Sequence, residues 1–157
     1  YCYPEEITDE LIQVMKEEPK ICHYLDLPIQ HANDTILKRM GRRTSKQELI
    51  DIVQKLRKEI PDICLRTTLI SGFPGECQED HEELYNFVDE LEFDRLGVFT
   101  YSQEEGTAAA QMENQVPQEI LMPTMLLTSA RASRFGARAD RNIELVIQAA
   151  VIATHIR

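Results

Sequence analysis

A chain of 157 residues with 43% hydrophobic content is long enough to bury a core as one domain or a large part of one. Its formal charge of -10 excludes a general nucleic-acid binder, which needs clustered Lys and Arg. No apolar run approaches the ~18 residues of a membrane span, and YCYPEEITDE at the start lacks the basic-then-apolar order of a secretory signal, so a cytoplasmic protein is expected.

The opening YCY, with no preceding Met, reads as the end of a buried strand and suggests a piece of a longer protein. Thr8 can then cap a helix that places Ile7, Leu11, Val14 and Met15 on one face, closed by Pro19. YLDLPIQ, from Tyr24 to Gln30, alternates Leu25, Leu27 and Ile29 with Asp26, Pro28 and Gln30, which is the period of a strand. NDTILKRMGRR predicts a short helix ending in a basic, glycine-containing turn. Ser45 and Glu48 form a capping box for a longer helix carrying Leu49, Ile52, Val53, Leu56 and Ile60, terminated by Pro61.

ICLRTTLISGF, from Ile63 to Phe73, is almost continuously apolar and β-branched, as expected of a strand covered on both faces. EDHEELYNFVDELE then sets Leu84, Phe87, Val88 and Leu91 on one helical stripe, and RLGVFTYS, from Arg95 to Ser102, predicts a third strand. Helix and strand therefore alternate with no hairpin signal. That order predicts an α/β fold with parallel strands joined by helical crossovers.

In such folds ligands bind beyond the carboxyl ends of strands, which here are QHAN, SGFPGE and TYSQEEGT. If Leu25, Leu27 and Ile29 pack under helices, Asp26 and Gln30 turn the other way, and Arg66, Thr68 and Ile70 likewise share a face. Asp26, Gln30 and Arg66 in a cavity either satisfy one another or hold a polar ligand. The glycines of SGFPGE permit close backbone approach, but no Lys-Ser/Thr pair follows, so it is not a Walker loop. A tight turn without a ligand is the simpler reading of that motif alone. His31 sits just past a strand end, where a structural histidine is commoner than a catalyst, and His23, His81 and His155 show no partner pattern. The acids of QEEGT read as a solvated loop. The cysteines at 2, 22, 64 and 77 match no metal, redox or cluster spacing and read as reduced thiols.

An ordered series of segments, YCYPEEITDELI, YLDLPIQHAND, ILKRMGRRTSKQEL, LRTTLISGFPGE, FDRLGVFTYSQEEGTAAA and QVPQEI, resembles the radical S-adenosylmethionine methylthiotransferases of the RimO type continuously from Tyr1 to about Glu119. The sister MiaB-type tRNA enzymes tend to carry Gln-Ser-Gly where this chain has Gln30-His31-Ala32, and an Arg in the loop after the last strand. The resemblance implies the second half of a partial (β/α)6 radical SAM barrel over residues 1–119, with Tyr1 to Tyr3 ending its third strand. It implies β-methylthiolation of an aspartate in a small-subunit ribosomal protein, with tRNA as the alternative substrate. It also implies that Ile70 and Gly72 lie against the adenine of S-adenosylmethionine, with the backbone near Tyr101 beside them and Asp26, Gln30 and Arg66 lining the same cavity.

Two departures accompany the resemblance. The family holds a 4Fe-4S cluster on C-x3-C-x2-C, and this sequence contains no such motif, so the chain alone is expected to be unable to start a radical. Residues 120–157 do not resemble the family's small RNA-binding β-barrel. They hold 2 acids and 5 bases, all arginine, against 25 acids and 12 bases before them, and a shifted frame, a foreign join or a diverged tail would each account for the change. The competing reading is a non-catalytic remnant that binds a nucleotide or a partner, with self-association through an exposed barrel edge.

Overall fold

The computed structural model describes residues 1–117, so the tail from 120 to 157, with His155, lies outside the described residues. Helix α1 (Asp9–Glu17) starts on Thr8, whose side chain accepts from the Leu11 amide, and α3 (Lys46–Glu59) starts on the Ser45–Glu48 capping box. Between them lie β1 (Tyr24–Asp26) and α2 (Asp34–Arg39), the latter capped by Asn33. β2 (Cys64–Ser71), α4 (Gln78–Leu91) and β3 (Arg95–Thr100) follow. The three strands form one parallel sheet in the order β1-β2-β3. Each pair is joined through helix, which parallel pairing requires.

One face of the sheet, with Leu65, Leu69, Leu96 and Val98, packs under Leu49, Val53 and Leu56 of α3 and Leu84, Phe87, Val88 and Leu91 of α4. Burying each such side chain contributes about 1.5–3 kcal/mol, so this stripe-on-sheet layer carries most of the cohesion. In α1 the inward residues are Ile12 and Met15, with Ile7 and Leu11 at the margin, whereas Val14 is 51% exposed. The expected stripe is thus turned by about one position, and Val14 falls outside the part of α1 that the core covers.

The expected strand from Tyr24 to Gln30 is interrupted. β1 pairs with β2 only through Asp26↔Arg66, and contact resumes at the isolated bridge Gln30↔Leu69. Four steps along one strand therefore match three along the other, which is a bulge. Pro28, which has no N–H, lies inside it, and the Thr67 hydroxyl serves the gap by donating to Leu27 O at 2.8 Å and accepting from the Ile29 amide at 3.4 Å. Tyr1 to Tyr3 form no strand, but the Cys2 amide donates to Asp26 O at 3.1 Å, so this segment runs along the outer side of β1.

Candidate functional site at the carboxyl ends of the strands

The uncovered face of the sheet carries Asp26, Arg66, Thr68 and Ile70. Asp26 and Arg66 are register partners and form an ion pair through Oδ2 and Nη1. Gly97 of β3 lies beside them, and a Cβ there would make only ordinary contact, 3.7 Å from Arg66 Nη2 and 3.8 Å from Thr68 Oγ1. Farther toward the strand ends, Ile70 and Phe73 join Ile36, Met40 and Ala109 in a second apolar cluster against which Tyr101 packs. The Phe73 and Tyr101 rings meet edge to face at 5.4 Å. Burial, with Glu104 nearby, pushes the Tyr101 phenol above its ordinary value, so it acts as a neutral hydroxyl.

Gln30 does not take the place that simple alternation gives it. The bulge shifts its register by one residue relative to Asp26, and its φ is +70°. The His31 amide donates to Ile29 O at 2.9 Å across it, forming a three-residue turn around a residue in the left-handed region. Such turns are rare and strained outside glycine. The cross-strand bonds Gln30 N to Thr68 O at 3.0 Å and Ile70 N to Gln30 O at 2.8 Å hold the strained backbone in place.

The turn Gly72–Glu76 is closed by an acid whose role the sequence did not disclose. Glu76 Oε2 accepts from the amides of Gly72 at 2.6 Å and Phe73 at 3.1 Å. His81 Nδ1 lies 3.3 Å from Oε1 and His31 Nε2 lies 3.7 Å from Oε2, with the carboxylate only 4% exposed. Burial alone would raise the carboxyl, but the two imidazoles and the Gly72 amide outweigh it and lower the group to about 2. His31 Nδ1 accepts from the Asn33 amide at 3.0 Å, which leaves the proton on Nε2, facing Glu76. Contrary to the expectation of partnerless histidines, His81 also approaches Ser71 Oγ at 3.5 Å, and His23 Nδ1 pairs with Asp62 Oδ1 at 2.7 Å on the surface. The sequence signal that pointed to this group was weak: an acid two positions past proline in a glycine turn, with histidines separated from it in the chain.

Gly72 and Gly75 adopt φ +80° and +86°, and the Arg39 guanidinium occupies the space where a Gly75 Cβ would be. A cavity of about 580 Å³ opens on the α4 side of this turn, lined by Ser71, Gly72, Glu76, Cys77, His81 and residues 114–117. Of the sequence-predicted residues it touches only Gly72. Among the described residues, four buried side-chain atoms lack a hydrogen-bond partner: Asp26 Oδ1, Gln30 Oε1, His31 Nε2 and Tyr101 Oη. Asp26 ends β1, Gln30 and His31 follow it, and Tyr101 follows β3, so every one stands at a strand's carboxyl end. Unpaired buried polar atoms cost about 1–3 kcal/mol each, and their placement makes the carboxyl ends of the strands the candidate site. No three His, Cys, Asp or Glu side chains among the described residues come together as a metal-binding group.

The model of the Radical SAM superfamily matches residues 2–88. A protein of Lachnoclostridium phytofermentans named ribosomal protein uS12 methylthiotransferase RimO is 67% identical over 120 residues, which cover 76% of this chain and 27% of that protein. One of the same name from Clostridium novyi is 57% identical over 142 residues, 90% of this chain and 32% of the relative. The chain thus spans between a quarter and a third of the length of these relatives. Among solved structures, the archaeal Methanocaldococcus infernus Elp3 superposes with a TM-score of 0.68 at 18% identity, covering 82% of this chain and 31% of that one, a likeness of fold alone.

Proposed function

The chain belongs to the radical SAM superfamily, and from that premise we propose that its strand ends form the nucleoside-binding part of a RimO-type methylthiotransferase acting on an aspartate of ribosomal protein uS12. Two groups belong to that chemistry, S-adenosylmethionine and 4Fe-4S clusters, which when bound supply hydrogen abstraction from carbon and the transfer of sulfur and methyl. Residues 1–119 act as the barrel portion and 120–157 as a separate tail.

The residues present fit the nucleoside. Asp26 Oδ1 and Gln30 Oε1 are buried acceptors with no donor, matching the hydroxyls of a ribose, and Tyr101 Oη adds a third polar atom. Ile70, in the apolar cluster with Phe73, would supply the apolar contact for a base, and the glycine turn at Gly72 would let backbone approach it. Arg66 fixes Asp26 through the ion pair and leaves its second carboxylate oxygen buried without a protein partner. These six residues orient the cosubstrate by positioning alone. The cluster does not fit this chain: cysteines at 2, 22, 64 and 77 lack its spacing, and no step is assigned to them.

The substrate reading is carried by the 67% identity to the uS12 enzyme over 120 residues. Transplanting residues 1–117 into that full-length relative and following the mass of a uS12 peptide tests it. The chimera is expected to add methylthio groups to the peptide, whereas modification of tRNA instead would overturn the assignment. A cytoplasmic location accompanies a ribosomal substrate, and no described helix is long and apolar enough to cross a membrane.

A further inference from the structure

We propose that Glu76 is a positioning residue that latches the strained Gln30 turn at the end of β1 to the glycine turn at the end of β2, so that both present their groups to the nucleoside in one fixed arrangement. The proposal rests on the nucleoside reading above and concerns how the site is held, not what it binds.

Geometry carries it. Gln30 follows β1 and Gly72 follows β2, and each has a positive φ, +70° and +80°. Strained backbone persists only where surroundings over-determine it. On the β2 side, one carboxylate oxygen takes the amides of both Gly72 and Phe73. On the β1 side, His31 is fully buried and follows Gln30 directly, so the position of its ring fixes the position of the strained residue. Its Nδ1 is anchored by Asn33, the cap of α2, and its Nε2 has no partner except the Glu76 carboxylate at 3.7 Å. That separation exceeds a hydrogen bond, and a movement of roughly 0.5 Å closes it. His81, on the first turn of α4, holds the other carboxylate oxygen and so ties the arrangement to a rigid element.

Chemically the latch is asymmetric. Four donor directions converge on one acceptor group, which an ionised carboxylate satisfies and an amide does not, because an amide presents N–H to at least one of the donors. Glu76→Gln should therefore open the latch at nearly constant volume. His31→Gln keeps a donor near the place of Nε2, and His31→Leu removes it.

The test uses the full chain, with S-adenosylmethionine binding followed by calorimetry and backbone amide resonances by NMR. Glu76→Gln is expected to shift the Gln30 and His31 resonances as well as those of Gly72 and Phe73, and to weaken binding about tenfold in protein that remains folded. His31→Leu should weaken binding comparably, and His31→Gln should restore it to within about threefold of wild type. If Glu76→Gln moves only the Gly72 and Phe73 resonances, or if folded His31→Leu binds as wild type does, Glu76 is merely a turn cap and the proposal is overturned. Should Glu76→Gln fail to fold, the His31 pair decides alone. A wild-type chain that binds no S-adenosylmethionine overturns the proposed nucleoside site. A broken latch remains distinguishable in that case, because Gln30 responds to substitution of Glu76 only where the two turns are joined.

Discussion

Replacing Glu76 by Gln should produce a stability difference with a defined pH dependence. The carboxyl is lowered from its ordinary 4.5 to about 2, in spite of burial, by the two imidazoles and the turn amides. A group depressed on folding stabilises the native state above its unfolded value, and that stabilisation is lost as pH falls through the folded one. Each pH unit between the two values corresponds to about 1.4 kcal/mol, so Glu76 contributes about 3 kcal/mol at neutral pH. Urea unfolding of wild type and Glu76→Gln at pH 7 should differ by that amount, or more if the amide leaves a donor unsatisfied. With a slope of about 2 kcal/mol per molar, the midpoint moves by about 1.5 M. Between pH 4.5 and 2 the difference should close. Other lowered acids, such as Glu83 beside Lys46, titrate in both proteins and cancel. A difference below about 1 kcal/mol at pH 7, or one that stays constant down to pH 2, would refute the assignment of Glu76 as an ionised hub.

Further substitutions probe separate parts of the structure. Gly75→Ala should cost about 1–2 kcal/mol through its φ of +86°; truncating Arg39 in the same chain should not recover it, because the guanidinium can swing aside and the backbone cannot. Arg57 donates to Leu91 O at 2.6 Å and Glu92 O at 2.8 Å, closing the carboxyl end of α4 where Glu92 turns left-handed. Arg57→Ala should lower stability by about 1.5–3 kcal/mol in denaturant unfolding, and Lys should restore only part of it, since an ammonium cannot reproduce the fork. Tyr101→Phe removes a buried hydroxyl that bonds nothing; stability should rise by about 1–3 kcal/mol, the cost of leaving that hydroxyl unpaired, while affinity for S-adenosylmethionine falls several-fold, and unchanged affinity would remove Tyr101 from the site.

The elements that were legible in the sequence are those governed by local chemistry. Thr8, the Ser45–Glu48 box and Pro61 delimit α1 and α3 because caps and breakers act within a turn. Leu84, Phe87, Val88 and Leu91 are all buried because α4 lies on the sheet along most of its length. Val14 faced outward instead, since α1 packs at the margin of the core and only a narrow part of its apolar stripe is covered.

The site was legible by residue type but not by geometry, and the cause is one extra residue. Strict alternation from Asp26 predicts where Gln30 points only if the pairing offset is constant, and Asp26↔Arg66 and Gln30↔Leu69 differ by one. Pro28 was the visible sign of trouble, but whether a proline ends a strand or sits inside a bulge depends on a distant partner, here Thr67, whose hydroxyl bridges the Leu27 and Ile29 peptides. The same bulge gives the strand end its use. It drives Gln30 into a left-handed turn and sends His31 inward to face Glu76, so the irregularity that defeats the pattern joins two turns far apart in sequence. The unpartnered Gln30 Oε1 and Asp26 Oδ1 lie on the two sides of the break, so the acceptors of the proposed nucleoside site flank the bulge.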